Sequence, residues 1–169
     1  MALVNTKSTI ITNADATPRV MNAAVIDGGN VHEKVGTVEL AAADCANSVY
    51  RLVRVHSSWR ISNIVRYNDA ITSGTDFDVG LYDTAENGGA VVNINQYADA
   101  VSLASASVTG TNDLYESGSD IGVEDLEQVI WQQIGLTADP NRFYDLCYTG
   151  VTPGSGAGTL SVRVVYVTP

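Results

Sequence analysis

Two cysteines, two histidines and four prolines are all that this chain of 169 residues holds of those types, and each scarcity closes off some chemistry. Cys45 and Cys147 lie about a hundred residues apart. They make a poor disulfide framework and, without histidines beside them, no zinc site. Both are expected as buried free thiols; a single bridge is the alternative if their strands are neighbours. Basic residues are scarce too, nine against nineteen acidic, for a formal net charge of −10. An acidic surface repels phosphate, which disfavours a general nucleic-acid role. No apolar run approaches the roughly 20 residues of a membrane helix. The opening MALVNTKSTII has one lysine and no long apolar core, so it does not read as a secretory signal.

What is present is 45 % apolar residues, enough for one globular domain with a core. The charge is unevenly spread. Met1 to Asn68 carries seven basic and five acidic residues, and Asp69 to Pro169 carries two and fourteen. The plain reading is a solvated acidic surface. The sharper one is a mildly basic N-terminal part that faces an acidic neighbour, a pattern suited to self-assembly.

The stretch from Trp59 to Asp83 organises the rest. Ile61, Asn63, Val65 and Tyr67 alternate with Ser62, Ile64 and Arg66, and Phe77, Val79 and Leu81 alternate with Asp78, Gly80 and Tyr82. Alternation of this kind predicts two strands of a half-buried sheet. Asn68-Asp69 and Thr72-Ser73-Gly74 supply turn chemistry between them, as a long hairpin or a hop between packed sheets. Before it, strands are predicted at 20–26, 33–40 and 48–56, the last in a central position because both its faces are partly apolar. After it come a short strand at 90–94 and one helical turn at 96–99 capped by Asn95. An ill-defined run follows to Val108, then a polar loop from Thr109 to Gly122. The one good helix is predicted over 123–134: Leu126, Val129, Ile130 and Ile134 share a side, and Gly135 provides a left-handed cap. Strands at 143–149 and 159–168 flank a flexible TPGSGAG hairpin loop. Many short strands, Gly-rich turns and one principal α-helix predict a mainly β protein, an antiparallel β-sandwich resembling a jelly roll, over residues 20–169. Residues 1–19, Met1 to Arg19, are too polar to form a core and read as a frayed terminus or an extended N-terminal arm that orders on a partner.

Candidate chemistry is thin. His56 with Ser57 or Ser58 and an aspartate could form a hydrolase triad, but no nucleophile elbow accompanies them. His32 and His56 lack a third metal ligand. Asp113 to Glu124 matches a calcium loop at its first, fifth (Ser117), sixth (Gly118) and twelfth positions. Tyr115 and Asp120 break the pattern, so it reads as a decoy, with a weak calcium site as the remainder. Asp76 and Asp78, with Asp83 and Glu86 following, could serve as paired carboxylates, yet Asp beside a turn is commonly a turn residue. Arg51, Arg54, Arg60 and Arg66 are close in sequence; Arg51 and Arg54 differ in parity and form no single stripe, so single salt bridges or snorkelling stems at strand ends are expected rather than an anion site. Trp59 and Trp131 could line a sugar platform, although packing against strands is the plainer role for them and for the tyrosines. The expectation is a protein that is not an enzyme, with no catalytic, cofactor or metal residues.

The segments DFDVGLYD, NINQYADAVSLA and WQQIGLTADPNRFYDLCYTG, within residues 35–167, resemble small virion structural proteins of tailed bacteriophages, most of all capsid decoration (cement) proteins. The resemblance implies a β-sandwich on the outer surface of a capsid, made in the host cytoplasm, bound to the major capsid protein and often a homotrimer. It brings no catalytic residues with it; no cofactor, nucleic-acid partner or membrane is expected. A neck, tail or fibre-associated virion protein, or a carbohydrate-binding β-sandwich module, is the alternative.

Overall fold

The computed structural model describes residues 4–116 and 118–169. Eight strands carry the fold: β1 Asn30–Leu40, β2 Ser48–His56, β3 Arg60–Asn68, β4 Asp76–Asp83, β5 Val91–Val101, β6 Ser107–Asn112, β7 Phe143–Thr152 and β8 Gly158–Thr168. They form two four-stranded sheets, ordered β1-β8-β3-β6 and β2-β7-β4-β5, with every pairing antiparallel. The pairs β1·β8, β2·β7, β3·β6 and β4·β5 nest inside one another, as if one long hairpin had been rolled up. That is the jelly-roll topology of an antiparallel sandwich. Ile61, Ile64, Phe77, Leu81, Tyr97, Tyr144, Leu146, Tyr148, Leu160 and Val164 fill the space between the sheets, all fully buried.

The organising stretch is a hop between sheets rather than a hairpin, since β3 and β4 lie in different layers. Ile71 anchors the crossing: it is fully buried, and its N–H donates to the Leu103 carbonyl at 2.9 Å. The final loop is likewise no hairpin. It carries the chain from β7 to β8 across the sandwich and is pinned where the Ser155 N–H donates to the Thr72 carbonyl.

Bulges account for most departures from simple alternation, because one extra residue flips every later side chain to the other face. An irregularity between Ile61 and Asn63 puts Ile61, Ile64 and Arg66 together inside, against the parity read from the sequence. Another between Arg51 and Val53 makes β2 look apolar on both faces, although it is an edge strand and not a central one. The predicted Asn95-capped turn is a wide bulge within β5: between Leu81↔Asn93 and Val79↔Ala98, five steps of β5 arch over two steps of β4. The arch rests on Gly80, where any Cβ would collide with the Asn93 and Ile94 carbonyl oxygens.

Residues 20–26 form no strand; they turn on themselves, with Ile26 and Asp27 N–H groups donating to the Ala23 carbonyl. The polar loop after Val108 contains most of β6. The predicted helix over 123–134 is split into a 3-10 turn at Val123–Glu127 and one α-helical turn at Ile130–Gln133. Gln128 and Val129 are extended between them because the Ile130 and Trp131 N–H groups donate to Trp59 and Ser57 carbonyls. Tertiary pairing thus overrides an amphipathic pattern. Gly135 does close the segment at φ +75, and the Leu136 N–H returns to the Trp131 carbonyl at 3.0 Å. A short helix, α1 at Thr9–Asp15, occupies the N-terminal arm, so this part is not extended. The Ser8 hydroxyl caps it by accepting from the Ile11 N–H. Residues 1–3 lie outside the described residues.

Candidate functional site

The calcium-loop residues serve other ends. Asp113 is 1 % exposed and lies in the core, not on a loop surface. Its carboxylate accepts from Arg66 Nε at 2.8 Å and from the Tyr148 hydroxyl at 2.5 Å, while Arg66 Nη1 reaches Asn68 Oδ1. Asn68 then donates to the Leu103 and Ser105 carbonyls. Arg66 belongs to one sheet and Tyr148 to the other, so Asp113 bolts the sandwich together at its β3–β6 side. Burial and the adjacent Asp113 carboxylate push the Tyr148 hydroxyl well above its usual range. Asp120 accepts instead from Asn93. Ser117 lies outside the described residues.

The hydrolase constellation does not assemble. His56 Nδ1 meets Ser58 Oγ at 2.9 Å, while the buried Ser57 hydroxyl donates to Asp139 at 2.5 Å and accepts from the Arg142 N–H. The serine–histidine pair and the serine–aspartate pair therefore use different serines, whereas a triad needs one histidine between the two. His32 stacks on Tyr166 with ring centroids 5.7 Å apart.

Asp76 and Asp78 are joined by Asp99 from β5. Asp78 is pushed up to about 6, first by burial and then by Asp99 and Asp76, against the pull of an Ala100 N–H at 3.3 Å. Asp83 pairs with Arg142 at 3.0 Å. Trp59 stacks on Tyr166 at 4.2 Å and meets Phe143 edge-on, so one face of the suggested sugar platform is already covered; Trp131 is half-buried.

On the outside of the second sheet, the β2 bulge aligns Arg51 and Arg54, despite their opposite parity, on the two oxygens of Asp145, at 3.0 and 2.8 Å. Arg51 also donates to the Asp83 and Gly89 carbonyls. These are salt bridges, as the sequence suggests, but two arginines share one carboxylate where single pairs are expected. Cys147 is buried, with its thiol pushed up to about 12 mainly by desolvation; Cys45 is exposed, against expectation, because it sits in the turn at 41–47 rather than in a strand. Both thiols are free.

What the surface offers is contact area. Large apolar side chains stand exposed in the N-terminal segment (Val4, Ile11, Val20, Met21), on the outward face of β1 (Val31, Val35) and on the 3-10 turn (Val123, Leu126). At one end of the sandwich, register brings together the ends of β1, β3 and β5 and the start of β4, with Glu39, Asp69, Asp76, Asp78 and Asp99. Asp69 borders an open cleft of about 250 Å³ whose lining includes Tyr67 and the exposed Val108. Neither this acidic end nor the exposed N-terminal segment is given a particular place by the sequence; both follow from topology.

No family description and no curated protein sequence matches the chain. The fold does have counterparts among solved structures. A chain of the capsid of Ralstonia phage GP4 superposes with a TM-score of 0.58 at 11 % identity, over 83 % of this chain and 86 % of that one. A chain of the cyanophage Pam1 capsid asymmetric unit gives 0.46 at 17 % identity over 100 % of both chains. One from the acidic stable capsid structure of Helicobacter pylori bacteriophage KHP30 gives 0.42 at 16 %, over 81 % and 88 %. At such identities the GP4 likeness is one of fold.

Proposed function

We propose that this protein is a non-enzymatic structural component of a bacteriophage particle, a decoration (cement) protein on the outer surface of the capsid. The observation that supports this reading is the jelly roll shared with a chain of the GP4 capsid across most of both chains. The polar constellations fit the same reading, since the buried ones brace the sandwich and the exposed ones are salt bridges. Several weak contacts to neighbouring coat subunits would hold such a protein by avidity, and a trimer multiplies them. The exposed apolar side chains of the N-terminal segment and β1 are the surfaces available for it.

Jelly rolls also serve as lectins. The aromatic group around Trp59, with Phe143 43 % exposed, is what favours a carbohydrate-binding alternative. A neck, tail or fibre-associated place in the virion is the nearer rival. The test adds purified protein to expanded capsids lacking it, followed by sedimentation and heating. Cement should co-sediment at a fixed ratio to coat subunits and raise the temperature at which particles open. Protein that stays in the supernatant but binds a glycan array would overturn the proposal.

A further inference from the structure

The N-terminal segment is a separate unit, lightly seated on the sandwich. Residues 4–28 are tied together internally: Lys7 pairs with Asp15 at 2.8 Å, Asn13 with Asn22 at 2.7 Å and Asn22 with Asp27 at 3.0 Å, and the Val20 N–H returns to the Asn13 carbonyl. None of these residues is fully buried. Among the described residues one hydrogen bond joins the unit to the sandwich, from Arg60 Nε to the Val25 carbonyl at 2.7 Å. Beside that bond the seat is underfilled, a cleft of about 210 Å³ between Ile10 and Ile26 on the unit and Arg60, Leu126 and Glu127 below. The joint is Gly28, at φ +97 in the left-handed region that glycine enters without a Cβ penalty, with open space where a Cβ would stand. Gly29 fixes where the chain leaves the sandwich: a Cβ there would lie 2.5 Å from the Ala24 carbonyl and 2.7 Å from that of Thr168.

We propose that this unit is exchanged between copies of the chain, each seating its residues 4–28 on the Arg60–Leu126 seat of the next. The occupant is a second copy because the seat fits these residues by construction, whichever molecule supplies them. Exchange re-forms every interaction that opening breaks, leaving the joint and the concentration to decide the balance. The meeting of two copies also gives the exposed Ile11, Val20 and Met21 of the unit, and Val123 and Leu126 beside the seat, a surface to cover. The donation is head-to-tail, and it closes as a ring where the rotation between copies allows it. This inference stands without the capsid role.

The test places one cysteine on each side of the cleft, Ile26→Cys and Leu126→Cys, in a Cys45→Ser background, and adds a short bismaleimide. Exchange gives covalently linked multimers on a denaturing gel. Internally linked monomer as the only product would overturn it. Light scattering on the unmodified chain supplies the second readout. An oligomer of the 17.9 kDa chain is expected, falling to monomer when residues 4–28 are deleted and falling in part when three Gly/Ser residues are inserted after Gly28. A monomer at every concentration, or an oligomer that survives the deletion, would equally overturn it.

Discussion

Replacing Asp113 by alanine removes the acceptor at the centre of a charged group that crosses between the sheets. Arg66 and Asp113 side chains are 7 % and 2 % exposed, so Arg66 would be left charged in a site closed to water. Breaking a buried pair from one side costs about 3–5 kcal/mol. The Tyr148 hydroxyl loses its acceptor as well, which by itself is worth about 1–3 kcal/mol when a buried polar group is orphaned. Such costs overlap within one network, and a total near 4 kcal/mol is a large part of the ~5–15 kcal/mol that holds a typical domain together. With a urea slope of ~2 kcal/mol/M, the unfolding midpoint should fall by about 2 M. The pair Arg66→Met with Asp113→Leu is expected to recover most of that stability, since an apolar replacement of both partners removes the desolvation cost. Equilibrium urea unfolding followed by tryptophan fluorescence measures both. A midpoint shift below ~0.5 M for Asp113→Ala would refute the cross-sheet role, as would a double variant no more stable than the single one.

Three further outcomes follow from particular residues. Asp78 has its pKa raised in the folded state, so its contribution to stability is full below the unfolded value and is lost as pH rises toward about 6. Asp78→Asn should therefore be more stable than the parent above about pH 6, with the gap closing below about pH 4; thermal melts across roughly pH 3.5–7.5 that run parallel would contradict this. Exposed Cys45 should react at once with a thiol reagent and Cys147 only after unfolding, giving one thiol per native chain and two per denatured chain. Gly80→Ala pushes a Cβ into the β5 arch and should cost at least the ~1–3 kcal/mol of an overpacked site; a neutral melt would show that the arch can move.

The strands were legible because alternation marks them: β2, β4, β7 and β8 begin within a residue of where the pattern places them. The layer to which each belongs was not legible. Residues 69–75 have the chemistry of a hairpin turn, and only Ile71, drawn into the core beside Leu103, shows that the chain changes sheets there. Bulges at Ser62, at Leu52 and across 94–97 were hidden for the same reason: local propensity does not record an extra residue whose place is set by a neighbouring strand. Asp113 shows the limit at the level of sites. Its calcium-like spacing is local, while its role depends on Arg66 and Tyr148, 47 and 35 residues away. The helix over 123–134 carries a sound amphipathic pattern but gives up two residues to backbone pairing with Ser57 and Trp59. The resemblance carried by DFDVGLYD and WQQIGLTADPNRFYDLCYTG falls on β4 and on the stretch from the helical turn at Ile130–Gln133 into β7, the framework of one sheet, so it speaks to fold before it speaks to role.

The most direct test of the proposed role is a count of copies per particle, by quantitative mass spectrometry of phage particles purified from a culture that expresses the chain. A capsid decoration protein is expected at a fixed ratio to the major coat subunit, of the same order as the coat itself. A few copies per particle would move the protein to the neck or tail, and its absence from virions would contradict the structural role altogether.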